Sequence, residues 1–281
     1  MQPIVLNGKE LAKKIEEELI QEVRVLKEMT GKIATLATII VGNNPASVTY
    51  VKMKGNACER IGINSLKIEL EENTTTEELL KVIENLNHNE NIDGILLQHP
   101  VPKHIDERKC FNSISCKKDV DGVTSAGFGM MSMQEEAYGS ATPLGIMKIL
   151  DYYNIEIEGK EAVVIGRSAI LGKPIAMMLL NRNATVTIAH SKSKNLPEIV
   201  KRADIVVASV GKPNFVKKEW LKEGVVIVDA GYNAGNIGDV DLKNCISICK
   251  AYTPVPGGVG PMTIISLISQ TIESFKRRVN K

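Results

Sequence analysis

An aromatic side chain and an amine lie four residues apart in the segment VTYVKMKG, which has a helical pattern. Residues at i and i+4 share one face of a helix, so Tyr50 and Lys54 are predicted to be neighbours. Such a pair can hold a flat heterocycle and move a proton to or from it. A tyrosine and a lysine at this spacing are also common on ordinary surfaces, so the pair alone does not define a site.

Two further polar groups follow at places where ligands bind in α/β proteins. Gln98 ends the apolar segment GILLQ, and a polar side chain at the carboxyl end of a strand points into the usual ligand region. The segment KKDVDGVT then places Asp119 and Asp121 beside Gly122. That pattern suits a binding carboxylate, and it is equally typical of a turn.

The segment VVIGRSAILGKPIAMMLL has features of a dinucleotide site. An apolar strand ends at Gly166, and a short loop leads to Gly172 at a predicted helix start. Backbone N–H groups and the helix terminus can face a pyrophosphate in this arrangement. The motif departs from G-x-G-x-x-G because Ser168 replaces the second glycine, and a plain strand–helix turn is the alternative interpretation.

The sequence after the next strand favours NADP over NAD. It reads His190-Ser191-Lys192 and lacks the acidic residue that holds the ribose 2′-hydroxyl of NAD. Arg167 can offer a forked guanidinium to the 2′-phosphate of NADP. The alternative is that Arg167 and Ser191 are solvated surface residues.

Strand and helix patterns alternate along the chain, which predicts mostly parallel sheets. Apolar residues recur at helical spacing from Leu11 to Leu26, and Thr75 with Glu78 forms a capping-box pattern. Strands are predicted at 33–41, 65–70, 94–98, 161–165, 184–189, 204–210 and 225–229, and further helices at 46–61, 75–86, 143–153 and 262–278. The stretch 119–140 has no period and is expected to be a linker and active-site loop.

These elements predict an α/β protein of two lobes with a cleft between them. Residues 1–140 form the first lobe, with the terminal helix, 262–281, packing back onto it. Residues 141–261 form a Rossmann-like lobe. A length of 281 residues is compatible with two domains.

The composition excludes several classes of function. The formal net charge is +2 and aromatic residues make up 4% of the chain, which argues against a nucleic-acid partner. No apolar stretch is long enough to cross a bilayer, and the amino terminus does not resemble a signal peptide. Five cysteines without a CxxC pair are typical of a reducing cytosol and predict neither a disulfide framework nor a metal site.

Six motifs occur in a fixed order: Y-x-x-x-K, ILLQ-x-P-x-P, KDVDG, ATP, IGRS-x-x-x-GKP and TPVPGGVGPMT. In this order they resemble the bacterial type of the methylenetetrahydrofolate dehydrogenase/cyclohydrolase family over residues 5–278, and PGGVGPMT is highly specific. The resemblance implies a cytoplasmic homodimer that oxidises 5,10-methylene-tetrahydrofolate with NADP and then hydrolyses the methenyl product to 10-formyl-tetrahydrofolate.

The resemblance also implies residue roles. Lys54 matches the essential lysine, Gln98 the glutamine bonded to it, Tyr50 a ring that stacks on folate, and Asp121 the carboxylate that holds the pterin; these four are the predicted catalytic set. The other predicted contacts are Gly166, Arg167, Ser168, Gly172, Ser191 and Tyr232 for the cofactor, and Pro256, Gly257 and Gly258 for folate, beside Tyr50 and Asp121. We also predict a lowered pKa for Lys54 in the complex with substrate, because burial and a substrate cation disfavour its charged form.

Two positions depart from the family pattern. His99 replaces a usual leucine, and Asn56 stands where a basic residue is frequent, so the rate and pH dependence of hydrolysis are the properties most open to change. His99 either modulates that pH dependence or packs on the other side of the strand, and side-chain alternation favours packing.

Three other functions compete with the bifunctional enzyme: a shikimate-dehydrogenase-like oxidoreductase, a dehydrogenase without the hydrolytic step, and a non-catalytic folate or NADP sensor. The PGGVGPMT segment argues against the first. The set of Lys54, Gln98 and Asp121 argues against the sensor, because a protein that only binds folate has little need of a lysine at the reacting carbon.

Overall fold

The computed structural model describes residues 2–280. The elements before residue 141 are β1 (Ile4–Val5), α1 (Gly8–Thr30), β2 (Thr35–Val41), α2 (Pro45–Ile61), β3 (Asn64–Leu70), α3 (Thr76–His88), β4 (Gly94–Leu97), α4 (Glu107–Ser113) and α5 (Ser125–Ser132). From residue 141 they are α6 (Ala141–Tyr152), β5 (Glu161–Ile165), α7 (Gly172–Leu180), β6 (Thr185–Ala189), α8 (Leu196–Lys201), β7 (Ile205–Ala208), β8 (Val225–Asp229), α9 (Leu242–Cys245), β9 (Cys249–Tyr252) and α10 (Val259–Val279).

These elements divide into two compact units, each with its own parallel sheet. The three-stranded unit contains Lys14–Ala141 and the chain from Ile264 onward. The six-stranded unit contains the chain up to Lys13 together with Thr142–Thr263. The predicted α/β class with parallel sheets is confirmed.

The three-stranded unit is built around β2. The strand order is β3-β2-β4, and β2 pairs in parallel with both neighbours. Its sequence TLATIIV is buried almost throughout, as expected for a central strand covered on both faces. Helix α2 follows it and is capped by Asn44, whose side-chain oxygen accepts from the N–H groups of Ala46 and Ser47, both at 3.1 Å.

The six-stranded unit has the order β1-β9-β8-β7-β5-β6, with all neighbours parallel. Strand β5 lies between β6 and β7, so the chain reverses its direction of growth across the sheet at β5. Open parallel sheets bind ligands at the carboxyl ends of the strands beside such a reversal. The loops after β5, β6 and β7 are therefore the natural ligand region of this unit.

The extreme amino terminus belongs to the six-stranded unit, which corrects its assignment to the first lobe. Ile4 and Val5 pair with Ala251 and Tyr252 of β9, and the Leu6 N–H donates to the Tyr252 carbonyl at 2.8 Å. Two residues at a sheet edge carry no measurable period, so the sequence pattern did not indicate this strand.

The stretch 119–140 is also more ordered than predicted, because it contains α5. Thr124 caps this helix by accepting from the Gly127 N–H at 2.9 Å. Glycine, phenylalanine and methionine alternate without a polar face, so no helical period was visible. The other predicted strands and helices are present, with ends within four residues of the prediction. None of the helices that the structure describes is both long and apolar enough to cross a membrane.

Candidate active site

Lys54 lies on α2 with its side chain directed into the protein. It is only 8% exposed, and its Nζ donates to the Gln98 Oε1 atom at 3.0 Å. Burial lowers the pKa of Lys54, because the charged form loses hydration, while the nearby Asp121 carboxylate partly opposes this shift. Burial alone thus shifts the pKa in the direction predicted for the substrate complex, and the amine is easier to deprotonate than an exposed lysine.

Gln98 follows β4 at the carboxyl edge of the three-stranded sheet. Its N–H donates to the Ile39 carbonyl of β2 at 2.8 Å, which fixes the backbone. Its side-chain Nε2 donates to the His99 carbonyl at 2.7 Å, so the amide oxygen faces Lys54. A neutral amide orients the amine without adding a charge.

Asp121 is half-buried in the turn at residues 119–122, which precedes α5. Burial raises its pKa to about 6, and the positive charge of Lys54 limits the rise. Asp119 builds the turn: its carboxylate accepts from the N–H groups of Val123 at 3.0 Å and Thr124 at 2.9 Å. Gly122 has a φ of +64°, and a Cβ there would collide with the backbone of the 139–140 segment.

Gln270 of α10 holds the same turn and was not predicted from the sequence. Its Nε2 donates to the carbonyls of Val120 at 2.7 Å and Gly139 at 2.8 Å, and its Oε1 accepts from the Gly139 N–H at 2.9 Å. It is buried, so these bonds are shielded from water. The only sequence feature that could have indicated this role is that Gln270 is an uncharged polar residue within an apolar helical stretch.

Tyr50 lies one helical turn before Lys54 on α2, as the spacing predicted. It is 39% exposed, unlike the buried lysine. The ring therefore has open surface on the helix that carries Lys54, which suits stacking on a flat ligand.

His99 does not pack on the far side of the strand, and the favoured prediction for it is wrong. Strand β4 ends at Leu97, so side-chain alternation no longer applies two residues later. The His99 side chain is 48% exposed, and its Nδ1 lies 2.6 Å from the Glu107 Oε1 atom at the start of α4. When His99 is protonated, its charge lowers the pKa of Asp121.

In the six-stranded unit, the loop from Gly166 to Gly172 connects β5 to α7. Gly166 has a φ of +131°, and a Cβ there would collide with the Ser209 carbonyl; a Cβ on Gly172 would meet the Gly166 carbonyl. The Ser168 hydroxyl oxygen accepts from the Leu171 and Gly172 N–H groups, both at 3.2 Å. The helix start is thus closed by Ser168 instead of presenting free N–H groups, and the hydroxyl hydrogen can still donate to a ligand.

Arg167 and Ser191 follow the ends of neighbouring strands β5 and β6, and both are exposed. The turn that carries Ser191 is held by His190, whose N–H donates to the Ser193 hydroxyl oxygen at 2.9 Å and whose Nδ1 accepts from the Lys192 N–H at 3.1 Å. The structure therefore brings the two predicted 2′-phosphate contacts to one sheet edge.

Tyr232 lies in the loop after β8, is 61% exposed, and donates its hydroxyl to Asn236 at 2.7 Å. The fully buried Asp239 ties this loop to the one after β7: its carboxylate accepts from three successive backbone N–H groups, 210–212. Asp229 in turn accepts from the Asp239 N–H at 2.9 Å. Sequence reasoning missed both carboxylates, which hold the loops of the predicted cofactor region.

Comparison with known proteins decides the family. Residues 6–121 match the model of the tetrahydrofolate dehydrogenase/cyclohydrolase catalytic domain, and residues 140–279 match the NAD(P)-binding domain of the same family. The bifunctional protein FolD of Cellvibrio japonicus is 62% identical over 279 residues, which cover 99% of this chain and 100% of that protein. The chain belongs to the tetrahydrofolate dehydrogenase/cyclohydrolase family.

Solved structures of the family have the same fold. The FolD methylenetetrahydrofolate dehydrogenase/cyclohydrolase of Campylobacter jejuni gives a TM-score of 0.95 at 46% identity, covering 98% of this chain and 99% of that one. The Trypanosoma brucei enzyme complexed with NADP cofactor and inhibitor gives 0.96 at 34% identity, with both chains fully covered. The protein is therefore a bifunctional enzyme that acts on tetrahydrofolate derivatives as dehydrogenase and cyclohydrolase.

The predicted site residues of this tetrahydrofolate dehydrogenase/cyclohydrolase fall into two sets. Tyr50, Lys54, Gln98 and Asp121 lie in the three-stranded unit, and the predicted cofactor contacts lie in the six-stranded unit. Pro256, Gly257 and Gly258 also lie in the six-stranded unit, between β9 and α10, where the Gly257 carbonyl accepts from the Lys9 N–H at 2.8 Å. Within residues 2–280, no group of three or more His, Cys, Asp or Glu side chains is placed to hold a metal ion.

Proposed function

We propose that the enzyme uses NADP to oxidise 5,10-methylene-tetrahydrofolate to the methenyl compound, and that Lys54 then acts as the acid–base group in hydrolysis to 10-formyl-tetrahydrofolate. The observation that carries the second part is the buried hydrogen bond from Lys54 to Gln98. A buried amine with a lowered pKa and a neutral partner gains and loses a proton more readily than an exposed lysine, as an acid–base group must.

In the first step the protein mainly binds and orients the folate. When bound, the nicotinamide of NADP accepts the hydride that the methylene carbon loses. Tyr50 offers an exposed ring on which the pterin can stack, and Asp121 offers a carboxylate that can accept hydrogen bonds from it. Correct placement of the reacting carbon against the nicotinamide then lowers the entropic part of the barrier.

In the second step a water molecule adds to the methenyl carbon, and the five-membered ring opens. Neutral Lys54 takes a proton as the water attacks, and the resulting ammonium returns one to the ring nitrogen that leaves the carbon. One proton is released overall, because a cation and water give a neutral formyl product. Gln98 keeps Nζ in a fixed direction through both transfers.

The choice of NADP rests on residues at one edge of the six-stranded sheet. Arg167 and Ser191 are exposed there, and the turn after β6 contains no acidic residue between His190 and Lys194. A guanidinium and a hydroxyl favour the 2′-phosphate, whereas the carboxylate typical of NAD sites would repel it. The glycines of the loop after β5 also suit a dinucleotide site. The backbone packs so closely at Gly166 and Gly172 that a side chain at either position would collide with a neighbouring carbonyl.

The test is a progress curve of the methenyl chromophore with 5,10-methylene-tetrahydrofolate and NADP⁺, with NAD⁺ in parallel and NADPH followed separately. Methenyl that forms and then decays faster than in a protein-free control supports both activities. Methenyl that decays only at the control rate would indicate the alternative function, a dehydrogenase alone. No reduced cofactor with either dinucleotide would refute the proposal.

Arg167→Ala tests the cofactor preference. The variant should raise KM for NADP⁺ by roughly tenfold or more, because one charged hydrogen bond contributes about 1.5–3 kcal/mol, and should change KM for NAD⁺ much less. Arg202→Ala is the matched control, since Arg202 is an exposed arginine at the end of α8, before β7 begins. Equal effects of Arg167→Ala on both cofactors would show that Arg167 does not read the 2′-phosphate.

We further infer a cytoplasmic homodimer that binds neither nucleic acid nor membranes. All five cysteines are free thiols, four of them buried, as suits a reducing compartment. The near-neutral charge supports the absence of a polyanionic partner. Light scattering coupled to size-exclusion chromatography measures the assembly, and a monomer mass across micromolar concentrations would contradict the dimer.

A further inference from the structure

The pair formed by His99 and Glu107 connects α4 to the residue that follows Gln98. The Nδ1 atom of His99 lies 2.6 Å from the Glu107 Oε1 atom. The same oxygen accepts from the Val101 N–H at 3.3 Å. Because a carboxylate only accepts hydrogen bonds, this contact places the imidazole proton on Nδ1. Glu107 therefore holds both the ring and the backbone of the segment 99–101.

That segment sets the orientation of the Gln98 amide. The His99 carbonyl accepts from the Gln98 Nε2 atom at 2.7 Å, so the amide oxygen remains directed at Lys54 Nζ, 3.0 Å away. If the amide turned over, its NH₂ group would face the amine. An NH₂ group can donate to neutral lysine but cannot accept from it, and it would repel an ammonium. The position of the His99 carbonyl thus affects which protonation states Lys54 can adopt.

The imidazole also acts through charge. Glu107 faces His99 from α4, and Asp121 is close enough that a charged His99 lowers the pKa of its carboxyl group. An ionised Asp121 in turn raises the pKa of Lys54. A protonated His99 therefore favours ionised Asp121 and charged Lys54, whereas neutral His99 favours the neutral amine that hydrolysis requires.

We propose that the His99–Glu107 pair is a positioning element for Lys54, which fixes the Gln98 amide through the His99 carbonyl and makes hydrolysis, but not the dehydrogenase step, depend on the charge of His99. The proposal rests on the assignment of Lys54 as the acid–base group. His99 and Glu107 act through other residues and take no part in proton transfer to the substrate.

The experiment measures hydrolysis of 5,10-methenyl-tetrahydrofolate from pH 5.5 to 8.5, corrected for the uncatalysed reaction, and NADP⁺ reduction with the methylene substrate. His99→Leu removes the contact with Glu107 and introduces the residue usual in the family. Hydrolysis by this variant should lose the part of its pH dependence that the charge of His99 supplies, with KM and the dehydrogenase rate within about twofold. His99→Asn keeps an N–H donor for Glu107 without a titrating ring. It should keep the native rate at pH 8 and respond less to pH than the native enzyme.

Glu107→Gln keeps the acceptor oxygen but removes the charge that favours protonated His99. The rise of the hydrolysis rate with pH should therefore shift toward lower pH. His88→Leu is the matched control, because His88 forms an exposed pair with Glu84 on α3, with Nδ1 and Oε1 3.4 Å apart. That variant should retain the native rate and pH profile.

An unchanged rate and pH profile in both His99 variants would overturn the proposal. A parallel loss of both activities would also overturn it, since that result indicates a general structural role. Lys54→Met, measured alongside, separates the two levels of the argument. If Lys54→Met hydrolyses methenyl substrate normally, the assignment of Lys54 is wrong; if it does not, and the His99 variants behave as native, only the positioning role fails.

Discussion

Replacement of Lys54 by methionine tests whether hydrolysis depends on a buried amine. Methionine has a similar length and an apolar end, so it fills the space of a side chain that is 8% exposed. Two effects on stability oppose each other: the cost of burying an amine is removed, and the Gln98 Oε1 atom loses the partner at 3.0 Å. An unsatisfied buried acceptor costs about 1–3 kcal/mol, so the variant should fold, with a Tm within a few degrees of native.

The effect on catalysis should be much larger. Loss of a general acid–base group typically costs about 10²–10⁴ in rate, so methenyl hydrolysis should fall toward the uncatalysed rate. The dehydrogenase step needs no proton transfer by the lysine, so NADPH should still form, and methenyl should accumulate. Stopped-flow absorbance of the methenyl chromophore, with NADPH fluorescence in the same mixture, measures both. Lys52→Met, on the exposed side of the same helix, should leave both rates near native.

A second replacement distinguishes proton transfer from simple charge. Lys54→Arg keeps a positive charge that arginine cannot lose, because its guanidinium stays protonated throughout the pH range of the assay. Arginine should therefore fail to restore hydrolysis. Native hydrolysis by Lys54→Met, or recovery by Lys54→Arg, would refute acid–base catalysis by this residue.

Two other replacements have defined outcomes. Gly166→Ala should lower Tm and raise KM for NADP⁺ at least tenfold. A side chain at a φ of +131° costs about 1–3 kcal/mol, and the added Cβ also collides with a carbonyl. Gly159→Ala is the control: Gly159 has a positive φ but open space around it, so this variant should lower Tm and leave KM unchanged. Asp121→Asn removes a charge that raises the pKa of Lys54, so the hydrolysis rate should rise at a lower pH than in the native enzyme. KM for folate should increase in this variant, and a native pH–rate profile with native KM would contradict both roles of the carboxylate.

The elements of this fold were predictable where one face is buried. Helix α3 has apolar residues at helical spacing and a capping box that the structure confirms, with the Glu78 side chain accepting from the Thr75 N–H at 2.8 Å. Strand β2 is a continuous apolar segment because both of its faces are covered. Strand β1 could not be predicted, since two residues carry no period and its pairing partner lies about 250 residues later.

The site was predictable in part. Tyr50, Lys54 and Gln98 stand in motifs whose order is specific, and the structure places Gln98 against Lys54. Gln270 and Asp239 were missed because their side chains hold backbone groups of distant segments, and such contacts leave no local pattern. Residues of this kind are found only when the segments they join are already placed.

His99 shows a different limit. The alternation of side chains in a strand predicts opposite directions for Gln98 and His99, but both residues lie beyond the end of the strand. The strand ends at Leu97, and beyond it the His99 direction is set by the Glu107 carboxylate, which belongs to another helix. Periodicity places residues inside regular elements, such as Lys54 on α2, but it does not place residues such as Gln98 and His99, which follow the end of a strand.

The electrostatic arrangement around Lys54 explains why its partner is an amide. Burial lowers the pKa of Lys54 and raises the pKa of Asp121 to about 6, so both groups move toward neutral pH. A carboxylate in place of Gln98, 3.0 Å from the amine, would stabilise the ammonium strongly. It would therefore raise the pKa of Lys54 and cancel the decrease that burial causes. The buried Cys58, one turn along α2, has its pKa raised to about 12 and stays neutral, so it does not compete for the proton. A neutral partner thus fixes the direction of the amine while leaving its proton exchangeable, which is the combination that hydrolysis of the methenyl cation requires.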